Sequence, residues 1–134
     1  MTFLDTNILV YSVDGNERAK QPIASDIVAR AIDGTGFLVS AQVLNEFSNI
    51  ALLKLKMTVP EVREFISMFS RIENVPLATA WTDRALQIKD QYGLQFFDSL
   101  LLAAAEANGC DEILTEDLTD GQTYCGIRAV NPFK

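Results

Sequence analysis

Short apolar runs alternate with longer stretches of helical period along this chain, and that alternation is its main structural signal. Five runs read as strands: Thr2-Phe3-Leu4, Gly36-Phe37-Leu38-Val39, Asn74-Val75-Pro76-Leu77, Glu112-Ile113-Leu114-Thr115 and, as a last edge strand, Arg128-Ala129-Val130. Between them, Ile23, Ile27, Val28, Ala31 and Ile32 recur every three or four positions up to Gly34, which predicts a helix over 23–32. Ser40 can cap a helix running to about Lys54, with Val43, Leu44, Phe47, Ile50 and Leu53 facing inward. Thr58-Val59-Pro60-Glu61 forms a capping box with proline in the first turn and opens a helix through Met68. Thr79 caps a stretch to Tyr92 that stops at Gly93, and Phe97 to Asn108 stops at Gly109. Strands separated by helices imply βαβ units. The expected fold is therefore a three-layer α/β domain with a mainly parallel sheet of four or five strands. With 134 residues and no repeat or linker, a single domain over 1–134 is expected.

Composition narrows the chemistry. The chain has no histidine, which excludes Ser-His-Asp and Cys-His nucleophiles, histidine general bases and imidazole zinc sites. Its 18 acids against 11 Lys and Arg leave a net charge of −7, the wrong sign for holding nucleic acid on a broad basic face. An anionic substrate would need a few placed cations or a bound metal. Cys110 and Cys125 are too far apart for a C-x-x-C pair and read as incidental thiols in a reducing compartment. The N-terminus lacks a basic region before its apolar residues, and no apolar run approaches the ~20 residues of a membrane span. A cytoplasmic protein with no membrane association is expected.

The acids fall at informative places. Ligands of open parallel sheets bind beyond the carboxyl ends of the strands. Asp5 ends the first strand, and Asp117 follows the strand ending at Thr115. Glu46 shares a helical stripe with Gln42, Asn49 and Leu53, and Asp98 interrupts the apolar stretch from Leu94 to Ala105. Each has a plain structural alternative. Asp5 could cap a short helix from Ile8, Asp98 could cap a helix from Ser99, Glu46 could be a solvated helix residue, and Asp117 and Asp120 could serve loop turns. Jointly they point to one rim. Convergent carboxylates raise one another's pKa unless a cation lies among them, and oxygen-only ligands select Mg²⁺ or Mn²⁺. Such ions activate water for phosphodiester cleavage without histidine.

The stretches Phe3-Leu4-Asp5-Thr6-Asn7-Ile8-Leu9-Val10-Tyr11, Val43-Leu44-Asn45-Glu46-Phe47, Phe97-Asp98-Ser99-Leu100-Leu101-Leu102-Ala103-Ala104-Ala105 and Ile113-Leu114-Thr115-Glu116-Asp117-Leu118 come in the order of a known family. The chain resembles the PIN-domain ribonucleases, and among them the VapC-like toxins of toxin–antitoxin modules. The resemblance implies an α/β/α PIN-like fold and an endoribonuclease in which Asp5, Glu46, Asp98 and Asp117 are catalytic metal ligands for Mg²⁺ or Mn²⁺. Asp117 would act through water. Thr6, Asn7 and Thr115 would support the site by hydrogen bonding. Asp120 competes with Asp117 for the fourth position, and Glu116 is expected to face solvent. The implied reaction is hydrolysis of an RNA phosphodiester by water, leaving a 5′-phosphate and a 3′-hydroxyl. Lys20, Arg18 and Arg84 are candidate phosphate contacts.

The resemblance also implies a cognate antitoxin and a homodimer. The apolar segment from Leu52 to Met57, with Val62, Phe65, Ile66, Met68 and Phe69, either covers the sheet or forms a groove for the antitoxin, which in this reading would add a basic side chain toward the acids. Two other readings compete. A haloacid-dehalogenase-like phosphatase would use Asp5 as nucleophile, but it wants an acid where Asn7 stands and a lysine poised near the phosphate. A non-catalytic module of PIN fold would have no need to hold four repelling carboxylates together.

Overall fold

Strand β1 (Thr2–Leu4) is central because Phe3 and Leu4 are apolar and fully buried, and neighbours pair along both its edges. In the computed structural model, which describes residues 1–134, β2 (Phe37–Ser40) and β4 (Glu112–Leu114) flank it in parallel. Strand β3 (Glu73–Val75) extends the sheet beyond β2, and β6 (Ile127–Val130) extends it beyond β4, both again parallel. Strand β5 (Thr123–Tyr124) adds the one antiparallel pairing, giving the order β3-β2-β1-β4-β6-β5.

The sheet thus has six strands, not four or five. The extra one, β5, is only two residues long, and its hairpin turn hides from sequence inspection. Cys125 and Gly126 both hold positive φ, 53° and 81°, as a type I′ turn demands. Glycine suits that conformation and cysteine does not announce it. Strand β3 stops at Val75 instead of reaching Leu77, since Pro76 has no N–H to give a neighbour.

The helices follow the expected order with shifted starts. Helix α1 (Thr6–Val13) begins directly after Asp5, and α2 (Lys20–Asp33) begins three residues before Ile23. Helix α3 (Ala41–Leu53) is capped by Ser40 as expected, but Leu53 faces outward, 64% exposed, because the helix ends beside it. Thr79 makes no capping bond to α5 (Ala80–Tyr92), since its own backbone is already helical. Gly93 at φ 70° stops α5 in the left-handed conformation that glycine favours. Helix α6 (Phe96–Ala107) is entered from Gln95, which places Asp98 inside the first turn and not at the cap. Helix α1 packs on α2 and α3, α3 packs on α4, and α5 packs on α6, the layered α/β arrangement expected.

Helix α4 (Val59–Phe69) carries the capping box. The Glu61 N–H donates to Thr58 Oγ1 at 3.3 Å, and the Thr58 N–H donates to Glu61 Oε1 at 2.9 Å. Thr58→Ala is expected to lower unfolding free energy by ~1 kcal/mol, read from the urea midpoint, because the orphan N–H of the first turn loses its acceptor. An unchanged midpoint would show that water replaces the hydroxyl at no loss.

Candidate metal centre

The chain runs from β1 outward to β2 and β3 on one side, and from β4 outward to β6 and β5 on the other. The direction of winding therefore reverses between β1 and β4, and a crevice opens at their carboxyl ends. Asp5 and Thr115 directly follow those two strands.

Asp5 is buried, and both its oxygens accept hydrogen bonds: Oδ1 from the Thr6 N–H at 2.6 Å and Oδ2 from the Thr115 hydroxyl at 2.7 Å. It caps α1 and belongs to the crevice at once. Burial pushes its carboxyl up to about 7, against the lowering influence of the two hydrogen bonds, and the charges of Asp117 and Asp98 add to the rise. Thr115 Oγ1 in turn accepts from the Asp117 N–H at 3.0 Å and from Asn7 Nδ2 at 3.4 Å. Asn7 Nδ2 also donates to Asp117 Oδ2 at 3.1 Å. The three expected supporting residues, Thr6, Asn7 and Thr115, are thus bonded to the acids themselves.

Asp98, from the first turn of α6, is half-buried, and its carboxyl is raised by burial first and then by Asp117 and Glu46. One carboxylate oxygen from each of Asp5, Asp98 and Asp117 lies within 4.8 Å of the others. Glu46 stands outside that trio but on the wall of the same cavity. Its Oε2 accepts from the Thr6 hydroxyl at 3.2 Å and its Oε1 from Gln42 Nε2 at 2.6 Å. Gln42 also reaches the Phe97 carbonyl at 3.3 Å, tying α3 to the start of α6. Its support for Glu46 went unassigned in the sequence, although its place one turn earlier on the same stripe is the signal that marks it. Asp120 is elsewhere: its Oδ1 accepts from the Asn131 N–H at 2.8 Å and ties two loops together.

The donor set suits a hard divalent cation. All donors are oxygens, the Asp5 and Asp98 carboxyls are raised first by burial and then by the neighbouring acids, and Asn7 Oδ1 is buried without a partner beside them. The acids open into a cavity of about 470 Å³. A second hollow of about 460 Å³, reached past Gly93, Leu94 and Gln95, shares Asp98 and Asp117 with the first.

The expected cations stand differently. Lys20 is bonded to Glu116 at 2.8 Å and to Tyr11 at 3.3 Å, and it lies over the Tyr11 ring, 4.6 Å from the centroid. Glu116 is consequently half-buried and does not face solvent. Arg84 grips Glu106 through two bonds of 2.7 and 2.9 Å. Arg18 is exposed and lines neither hollow. Both cysteines are free thiols, and no helix is long and apolar enough to cross a membrane.

Of the apolar residues expected either to cover the sheet or to form a groove, Phe65, Met68 and Phe69 of α4 line a hollow. That hollow, of about 410 Å³, opens between α4 and the α1–α2 pair, with Val13, Val28 and Ile32 on its other walls, while Val62 is buried in the core.

The PIN domain family profile matches residues 2–119. No curated protein sequence matches the chain. Among solved structures, a toxin–antitoxin complex from Klebsiella pneumoniae is similar at 19% identity and TM-score 0.70, covering 98% of each chain. Mycobacterium tuberculosis VapC20, described as a sarcin–ricin-loop-cleaving toxin, is similar at 13% identity and TM-score 0.71, over 96% of this chain and 99% of its own. DNA-bound VapBC from Salmonella typhimurium is similar at 20% identity and TM-score 0.67, over 96% of this chain and 95% of its own.

Proposed function

Because this chain belongs to the PIN-domain family, we propose that it is a metal-dependent endoribonuclease acting as the toxin of a toxin–antitoxin pair. The observation that carries the reading is the meeting of the Asp5, Asp98 and Asp117 carboxylates at the reversal point of the sheet. These three, with Glu46 beside them, would hold Mg²⁺ or Mn²⁺. Such an ion supplies water activation and stabilisation of the leaving oxygen when bound. The chain's own residues do the positioning. Thr115 and the Thr6 N–H orient Asp5, Asn7 and Thr115 hold Asp117, and Gln42 and Thr6 hold Glu46. Water attacks phosphorus and displaces the 3′ oxygen, so the products carry a 5′-phosphate and a 3′-hydroxyl.

Burial of Asp5 with both oxygens occupied supports hydrolysis by water over a phosphatase reading in which Asp5 attacks phosphorus. The similar structures include a toxin–antitoxin complex, DNA-bound VapBC and a toxin described as cleaving the sarcin–ricin loop. They support a cognate antitoxin, and the apolar hollow between α4 and the α1–α2 pair is the place this reading gives to its apolar segment. A homodimer in the cytoplasm completes this reading.

The test is incubation of a mixed RNA pool with the purified protein in Mg²⁺, in Mn²⁺ and in EDTA. Cleavage confined to the cation-containing reactions, with 5′-phosphate ends and no phosphorylated protein, is the expected result. Cleavage that persists in EDTA removes the metal mechanism, and a stable phosphoenzyme would favour the phosphatase. Inactivity under every condition favours a binding module.

A further inference from the structure

The cavity beside the candidate centre gathers six carboxylates, those of Asp5, Asp14, Glu17, Glu46, Asp98 and Asp117, and a single cationic side chain, Lys54. A polyanion entering there meets repulsion everywhere except at that ammonium and at a bound cation. Lys54 is also uncommitted: it forms no ion pair within 4.0 Å, whereas Lys20 and Arg84 are each spent on a glutamate.

Its placement follows from helix geometry. Gln42, Glu46, Ile50 and Lys54 follow one another at four-residue intervals, so one stripe of α3 leads from the acids outward along the cavity. Eight residues of helix put Lys54 about 12 Å beyond Glu46 along the axis, too far to touch the reacting phosphate and near enough to reach one beside it. The backbone there is fixed, with the Lys54 N–H bonded to the Ile50 carbonyl at 2.8 Å, while the side chain is exposed.

We propose that Lys54 binds an RNA phosphate flanking the scissile one and so positions the strand over the acids. This rests on the nuclease reading above. The competing explanation is local: a cation at the end of α3 complements the free carbonyls of its last turn. That role would alter stability but not the salt dependence of RNA binding.

The experiment compares wild type with Lys54→Ala, Lys54→Arg and Lys54→Glu. Cleavage kinetics are measured in Mg²⁺, and RNA affinity at several salt concentrations is measured in an Asp98→Asn background, where RNA stays intact. For Lys54→Ala, KM is expected to rise about five- to tenfold with the effect confined to KM, and the salt slope to fall by about 0.7, one single-strand phosphate contact. Lys54→Arg is expected to restore both, and Lys54→Glu to weaken binding beyond Lys54→Ala. Unchanged KM and slope in Lys54→Ala, with wild type cleaving normally, overturn the role of Lys54 alone. A loss in Lys54→Ala that tracks a fall in melting temperature and leaves the slope unchanged assigns the residue to the helix end and also overturns it. Failure of wild type to cleave RNA, together with failure of Asp98→Asn to bind it, overturns the nuclease reading and this role with it.

Discussion

Asp98→Asn is expected to lower kcat/KM for RNA cleavage by at least about 10³-fold while leaving the fold intact. The substitution keeps the size of the side chain and its place in the first turn of α6, and removes one of three charges meeting within 4.8 Å. Asp98 is the informative member of the trio to replace. Asp5 is also a helix cap and accepts two hydrogen bonds, and Asp117 accepts one from Asn7, so their replacement disturbs packing as well as charge. The Asp98 carboxylate is given no hydrogen bond by the surrounding protein, and burial together with two neighbouring acids raises its pKa. Its structural role is slight and its electrostatic role large. Titration of the variant with Mn²⁺ is the companion measurement, and weaker binding in parallel with lost activity is expected. An active variant with undiminished cation affinity would remove Asp98 from the site.

Asp5→Asn is expected to abolish cleavage and to stabilise the metal-free protein at pH 8. The buried carboxyl has its folded pKa raised from 3.8 to about 7, so the folded state binds a proton more tightly than the unfolded state does. The resulting stability is fully present below pH 3.8, declines as pH rises through that window, and is lost above about 7. A window of this width corresponds to roughly 4 kcal/mol. The amide recovers part of it: its oxygen still accepts from the Thr6 N–H, but its NH₂ faces a Thr115 oxygen that already accepts from Asn7 and Asp117. A net gain of about 2 kcal/mol is expected, some 5–10 °C in melting temperature measured in EDTA. The advantage should vanish near pH 3.5, and added Mg²⁺ should stabilise wild type but not the variant. A variant less stable than wild type at pH 8, or a gain independent of pH, would contradict the assignment of burial as the dominant cause.

Much of this site is legible without coordinates because its signals are local. Asp5 and Thr115 stand at strand ends that the apolar runs Phe3-Leu4 and Ile113-Leu114 mark, and a parallel sheet puts strand ends together. The capping box at Thr58 and the stop at Gly93 are likewise local in kind, each set by a few adjacent residues. Helix starts carry weaker local signals here than helix stops. Helix α2 begins at Lys20, where no side-chain cap marks it, and α6 begins at Phe96, under an apolar residue that looks like any other.

What the sequence determined by itself is the order of strands and helices, the exclusion of histidine chemistry, and the presence of acids after the strands that meet in the crevice. Tertiary structure alone decided which acids meet. Asp117 joins Asp5 and Asp98 while Asp120 bonds to Asn131, although the two aspartates are three residues apart in one polar loop. It also decided that Lys20 and Arg84 are held by Glu116 and Glu106 while Lys54 stays free, that Glu46 stands beside the trio, and that β5 closes the sheet. The physical reason is range. Periodicity and capping act over a turn or two, whereas the charge state of Asp5 depends on burial and on a hydroxyl 110 positions away. Such pairings exist only once the chain has folded.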